Sequence, residues 1–326
     1  MKRAILAALG LFGLNVAAVP VSAQPYPNHT VTIIVPYSAG GPVDQLARVV
    51  ATALSAKLNQ NFVVENVTGG STITGTNRVA HARPDGYTLL VHNLQIAANA
   101  TLYEKNLPFD TEKDLGPVMF IYRNPLVLVG RTTLNVNTLP DLVALMKKQR
   151  IKAAIPGFGS TGHLATALLA QEAKVPIDII PYRGGAPMLT DVMGDHVDLS
   201  FGTPQQVGPF VASGKLKAFG VTQDDKMPEF PQADSFVKLF GPKFEIEFWE
   251  ALFAPAGTPD DVMQTLNAAL EDAVVTNPAI LKQWAADGVS TYPKEQRSPA
   301  AGRAILASEI ARWGKVIRDN NIRVNQ

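Results

Sequence analysis

Residues 30–58 read TVTIIVPYSAGGPVDQLARVVATALSAKL, and this stretch decides how the chain folds. Val31, Ile33, Ile34 and Val35, with Thr32 among them, make the apolar β-forming run of a strand buried on both faces of a parallel sheet. Pro36 cannot donate to a sheet ladder and ends the strand. Tyr37-Ser38-Ala39-Gly40-Gly41 then turns the chain, and Pro42 stands at the first helical position, where its missing N–H costs nothing. From Val43 onward Leu46, Val49, Val50, Ala53, Leu54 and Leu58 share one helical face. A strand, a glycine turn and a helix N-terminus bring free backbone N–H groups and the positive end of a helix dipole to one place, which suits an anion. The same junction also occurs in many α/β proteins with no ligand there.

The rest of the composition bounds the protein class. At 326 residues the chain has room for two domains, and 46% apolar with 17% charged residues describes a globular chain with ample core. Lys2 and Arg3 precede an apolar run, Ala4 to Val21, interrupted by Gly10, Gly13, Asn15 and Pro20 and closed by Val21-Ser22-Ala23. Residues 1–23 therefore read as a cleaved secretory signal peptide, too short and too broken for an anchor. Removing Lys2 and Arg3 from the 29 basic residues leaves 27 against 28 acidic, a net of −1. That balance offers no basic field to a nucleic acid. Without cysteine there are no disulfides, thiolate nucleophiles or cysteine metal sites. An exported protein of the bacterial periplasm is the expectation.

The logic of the opening stretch recurs down the chain. Phe62 to Asn66 reads as a strand leading into Thr68-Gly69-Gly70-Ser71-Thr72 and a short helix, and Tyr87 to Val91 as a strand delivering His92 and Asn93 to its end. Leu126 to Val129, Lys152 to Ile155, Ile177 to Pro181, Val197 to Phe201 and Lys217 to Thr222 read as strands of a second unit, several ending in glycine turns. Helices are expected at Leu139 to Lys148, His163 to Ala173 and Ala186 to Met193. Phe248 to Ala254 is expected to cross back as a strand, followed by helices to the C-terminus. The arrangement this implies is two α/β lobes, residues 24–124 plus 249–326 and residues 125–248, with the final helices on the first lobe and ligand in the cleft between them.

Several patterns point to candidate chemistry. Gly157-Phe158-Gly159-Ser160-Thr161-Gly162 matches G-x-G-x-x-G between a strand and a helix, but the acid that should hold a ribose, Asp178, lies inside a strand and comes early. What remains is a second helix N-terminus, with Ser160 and Thr161 hydroxyls suited to a small carboxylate. Ser160 and His163 begin one helix and lack a G-x-S-x-G elbow, so a nucleophile is not expected. His29, His81, His92, His163 and His196 show no metal-ligand spacing, and no cofactor is expected. Asp44 either pairs with Arg48 one turn on or orients water at the loop. Arg183 either forks onto a carboxylate or caps a turn. Tyr37, Phe158 and Tyr182 lie at turns where an aromatic wall would be useful, and Phe201 fits a core position equally well.

Taken together, Pro36-Tyr37-Ser38-Ala39-Gly40-Gly41 with Asp44 and Arg48, Glu65-Asn66, Pro84-Asp85-Gly86-Tyr87, Gly159-Ser160 with His163, Pro181-Tyr182-Arg183-Gly184-Gly185 and Ala254-Pro255-Ala256-Gly257-Thr258-Pro259 carry a resemblance. In this order they resemble the periplasmic solute-binding receptors of tripartite tricarboxylate transporters, the TctC or Bug family, over nearly the whole mature chain. The resemblance implies a two-lobed, type II-like periplasmic binding protein, each lobe a mixed, mostly parallel sheet flanked by helices. It implies no enzyme, but a receptor that closes on a small carboxylate (a di- or tricarboxylate, an amino acid, or an aromatic acid such as terephthalate). One carboxyl group would be held between Tyr37–Gly41 and Gly157–His163. The contacts expected are Tyr37, Ser38, Ala39, Gly40, Asp44, His92, Phe158, Gly159, Ser160, Thr161, His163, Tyr182, Arg183 and Thr203, with Phe158 and Tyr37 tilting toward an aromatic ligand. The expected partner is a membrane permease of one large and one small subunit, served by a monomer. The alternative is a sensor domain feeding a histidine kinase. Ser38, Val67-Thr68 and Ile155-Pro156 depart from the usual family pattern around the expected pocket.

Overall fold

The opening stretch folds as its spacing dictates: β1 (Val31–Val35) is almost wholly buried and α1 (Pro42–Leu58) lays Leu46, Ala47, Val50 and Leu54 against the sheet. The computed structural model describes residues 26–286 and 288–324. The expected signal peptide, residues 1–23, lies outside the described residues. β2 (Phe62–Asn66) pairs parallel with β1 on one side and, after α2 (Ile73–Ala80), β3 (Thr88–Asn93) pairs parallel on the other. α3 (Gln95–Leu102) and the long β4 (Leu115–Pro125) follow, neither of them expected from the sequence.

The chain then enters a second sheet through β5 (Val127–Gly130), α4 (Leu139–Met146), β6 (Ile151–Ile155), α5 (Thr161–Ala173), β7 (Ile177–Pro181), α6 (Gly185–Met193) and β8 (Leu199–Gly202). It continues through α7 (Pro204–Ala212), β9 (Lys217–Val221), β10 (Asp234–Ser235) and α8 (Phe236–Phe240). α7 is also absent from the sequence reading, because Gly208 and Pro209 interrupt its pattern. β11 (Glu247–Pro255) returns to the first sheet, and α9 (Asp260–Leu270), α10 (Pro278–Ala286), β12 (Ser290–Thr291) and α11 (Pro299–Asp319) finish the chain.

The strand orders are β12-β4-β11-β3-β1-β2 and β10-β9-β5-β8-β6-β7, giving an α/β protein of two mixed sheets flanked by helices. The first sheet is not mostly parallel. β4 leaves it at the edge facing the second sheet and β11 re-enters at that same edge, so β11 must run antiparallel to both β4 and β3. α11 packs on β4 closely enough that a Cβ at Gly302 would sit 2.9 Å from Pro117. The last helix is pinned as well by Glu309, whose Oε2 accepts from Trp249 Nε1 at 2.7 Å and Trp313 Nε1 at 3.2 Å.

The crossings between the sheets are tied by one buried threonine. Thr222 Oγ1 accepts from Leu126 N (2.8 Å) and donates to Ile246 O (2.6 Å), while Thr222 N donates to Leu126 O (2.9 Å). Leu126 and Ile246 stand where the chain passes between the two sheets, and the backbone N–H and C=O groups of both are paired.

Candidate ligand-binding site

The C-terminal ends of β1 and β3 face the second lobe, and in open α/β sheets that edge is where ligands sit. After β1, Asp44 folds back over the start of its own helix. Its carboxylate accepts from Gly40 N (2.9 Å), from Asn66 Nδ2 (2.9 Å) and from the Arg48 fork (2.9 and 3.0 Å), and the residue is 2% exposed. Burial pushes against ionisation, but hydrogen bonds from Arg48, Gly40 and Asn66 outweigh it and hold the carboxyl below its ordinary range. The positive end of α1 therefore already faces a carboxylate. Ser38, Ala39 and Gly40 form the exposed tip of this turn.

Tyr37 is drawn inward. Its hydroxyl donates to Asn93 Oδ1 at 2.7 Å and lies 3.3 Å from Gln95 Oε1, and its ring stands edge-on to His92. His92 is fully buried: Nδ1 accepts from Asn93 N at 2.8 Å and Nε2 lies 3.0 Å from Thr72 Oγ1. Burial drives its pKa down to about 3, so the imidazole is neutral and holds the loop before α2.

The turn after β6 is built differently. Gly157 and Gly159 take φ of +143° and +79°, which suit glycine. Ser160 caps α5, its Oγ accepting from His163 N at 3.2 Å and donating to Gly157 O at 2.7 Å. His163 Nδ1 accepts from Gly159 N at 3.1 Å, which leaves the ring proton on Nε2, and burial lowers its pKa to about 4. The Phe158 ring meets His163 edge-on at 5.4 Å. No acid lies in the first turn of α5, and the Thr161 hydroxyl, 3% exposed, has no hydrogen-bond partner.

The two turns are brought together by α3. Gln95 Nε2 donates to Phe158 O across the cleft at 3.2 Å while Gln95 Oε1 faces the Tyr37 hydroxyl. A Cβ at Gly159 would lie 3.1 Å from Asn99 Oδ1 and from Leu102 Cδ1, so the approach needs glycine there. Tyr182 and Arg183 follow β7 beside this turn, with Tyr182 N donating to Ile155 O at 2.9 Å. The Tyr182 hydroxyl donates to Asp191 Oδ2 at 2.6 Å, Gly184 N donates to Pro156 O at 3.2 Å, and Arg183 is exposed. Thr203 is the buried N-cap residue of α7, with Gln206 Oε1 accepting from its N–H at 3.3 Å.

Sequence reasoning missed Gln95, Asn99, Asn124 and Glu250. Asn124 Nδ2 reaches α7 by donating to Gln205 Oε1 at 3.0 Å. Buried side-chain oxygens without hydrogen-bond partners include Asn99 Oδ1, Asn124 Oδ1, Thr161 Oγ1, Thr203 Oγ1 and both of Glu250. Such atoms are rare in folded proteins and ask for a partner. A signal for Gln95 was present: Asn93 Oδ1 accepts from Gln95 N at 2.9 Å, the local turn that an Asn two residues ahead of a helix favours. Among the described residues no group of three or more His, Asp or Glu side chains is placed to hold a metal.

This geometry has relatives. The model of the tripartite tricarboxylate transporter family receptor matches residues 46–322. Protein BugT of Bordetella pertussis is 32% identical over 325 residues, covering 98% of each chain. Among solved structures, the periplasmic binding protein BugD superposes with a TM-score of 0.83 at 28% identity, covering 91% of this chain and 99% of that one. MatC from Rhodopseudomonas palustris with bound malate superposes with a TM-score of 0.81 at 30% identity, covering 90% and 100%. The chain belongs to the tripartite tricarboxylate transporter receptor family, a family of two-lobed periplasmic solute-binding proteins and not of enzymes.

Proposed function

We propose that this protein captures a small carboxylate between its lobes, residues 24–124 with 249–326 and residues 125–248, and delivers it as a periplasmic monomer to a permease of one large and one small subunit. The observation that carries the reading is the start of α5, a helix N-terminus without its own acid beside a buried, unpartnered Thr161 hydroxyl. Helix N-termini stabilise anions through free N–H groups and the dipole. A ligand carboxyl there would accept from Thr161 and lie beside Ser160 and the Gly159 turn. Gln95 and Tyr37 would close over it from the first lobe, with Phe158, Tyr182, Arg183 and Thr203 around the rim. Asp44 and His92 act behind this surface: Asp44 rigidifies the first turn, and His92 supports Asn93 and Thr72. With the Tyr37 hydroxyl and ring already engaged, Phe158 and Tyr182 remain for an aromatic wall.

A thermal-shift panel of carboxylates including malate, citrate and terephthalate tests this. A true ligand at a hundredfold excess over its Kd adds about 2.7 kcal/mol of stability, which appears as a rise in Tm of several degrees. No shift from any carboxylate would contradict the reading. Co-purification with the permease, and not with a histidine kinase, tests the delivery step.

A further inference from the structure

β11 carries an acid that the site described so far leaves unused. Glu250 is 0% exposed, lies in the middle of a sheet, and has both carboxyl oxygens without a hydrogen-bond partner. Its place in the register is informative. Glu250 pairs with Asn93 on one side and with Tyr122 on the other, and directly opposed residues of antiparallel strands share a face. Asn93 is the last residue of β3, so Glu250 stands at the edge of the sheet that faces the second lobe. Two residues nearer the crossing, on the same face, Asn124 opposes Phe248 and leaves its own Oδ1 unpartnered. A short row of unmet acceptors thus runs along the back of the cleft toward α7, whose Gln205 holds the Asn124 amide.

Among the described residues the Tyr122 hydroxyl helps this acid, and no cation does. The adjacent cation, Arg123, is on the other face, bonded to Glu247 Oε2 at 3.1 Å and lying over the Tyr292 ring. The groups facing Glu250 are the Tyr122 and Tyr37 hydroxyls and the Asn93 amide; Tyr122 favours its charged form and Tyr37 feels its charge. Burial outweighs the help from Tyr122 and raises the carboxyl to about 8, so it is largely neutral until a cation stands against it, and an ammonium in contact draws it back to the carboxylate. An acceptor left unmet in a dry site penalises a ligand that brings no donor, and the penalty is removed by one that does.

We infer that Glu250 is a specificity-determining residue, which selects carboxylates carrying an ammonium group over otherwise identical carboxylates without one. The carboxylate anchor at α5 and the Glu250 acceptor on the first lobe then read opposite ends of one zwitterionic or aminated acid. This rests on the carboxylate-capture reading above and names the second group of its ligand.

Matched pairs that differ only by an amino group test it: succinate with aspartate, glutarate with glutamate, and adipate with 2-aminoadipate, titrated calorimetrically into the wild type and into Glu250→Gln. The expected result is that in the pair that binds, the aminated acid is about 100-fold tighter in the wild type, and that Glu250→Gln cuts this ratio at least tenfold. A role confined to the core would raise Tm in Glu250→Gln and leave the ratio unchanged, which overturns the inference. Should that variant fail to fold, the wild type decides alone, since equal or weaker binding of the aminated acid also overturns it. Binding of only the deaminated acids would leave carboxylate capture standing and remove Glu250 from the site. Binding of none of the six, together with no shift across the wider panel, would remove both.

Discussion

After β1, α1 begins with Asp44 bent back onto Gly40 N; after β6, α5 begins with Ser160 and Thr161 and no acid at all. In sequence the two junctions look alike, each a β-strand, a glycine turn and a helix. Their electrostatics differ. The first has satisfied its positive end from within and presents a rigid tip. The second has no acid in its first turn and a buried Thr161 hydroxyl without a hydrogen-bond partner. A shared strand–turn–helix pattern therefore says where an anion could be held, and the first-turn residues say whether the place is already taken.

The largest separation between the two turns is expected in acid. His163 titrates at about 4 in the folded protein against 6.5 unfolded, because burial disfavours its charge. A depressed histidine contributes stability above its unfolded pKa and loses it as pH falls to the folded value, here between pH 6.5 and 4, by roughly 3 kcal/mol. Asp44 is held below its ordinary range, so its contribution is present above the unfolded carboxylate pKa and is lost only at lower pH than the histidine window. Urea unfolding of the wild type and His163→Gln across this range should show the variant missing the loss between pH 6.5 and 4. Parallel acid limbs would contradict the buried neutral imidazole.

The contact that joins the turns comes next. Gln95→Ala removes the bond to Phe158 O and the acceptor beside Tyr37, so ligand affinity should fall about tenfold, in the off-rate, while Tm without ligand moves little. An unchanged off-rate would show that the lobes close without it. The smallest effect is expected for Ser160→Ala, which loses the α5 cap at a cost of about 1 kcal/mol in stability, read as a shift in urea midpoint. No loss would mean the cap is replaced by solvent.

Much of this was legible in the chain. The run Val31 to Val35 and the Pro42 start gave β1 and α1, and the second helix N-terminus expected around Ser160 and Thr161 is the start of α5, which Ser160 caps. What escaped reading was the apolar interior around the cleft. α3 is buried through Gln95 to Asn99 and has Leu94 at its N-cap, so it lacks an amphipathic stripe and its one local start signal is Asn93 two residues ahead. β4 begins Leu115-Gly116-Pro117, which reads as a turn. Glu250 was hidden inside an apolar run that reads as a strand without saying which end of it faces the cleft. The second turn's hydroxyls were legible as candidates. The first turn's self-occupancy was not, because Asp44 with Arg48 at i+4 spells an ordinary helix pair until Asn66 and Gly40 are seen on the same carboxylate.

The most direct test makes the second turn resemble the first. Ser160→Asp keeps an N-cap acceptor for His163 N and places a negative charge at the start of α5, giving up only the bond to Gly157 O. Calorimetric titration with the carboxylate found in the panel should show affinity reduced by roughly a hundredfold or more through repulsion at close range, with Tm near that of the wild type. Affinity equal to the wild type in a folded Ser160→Asp protein would mean that the negative group is held elsewhere.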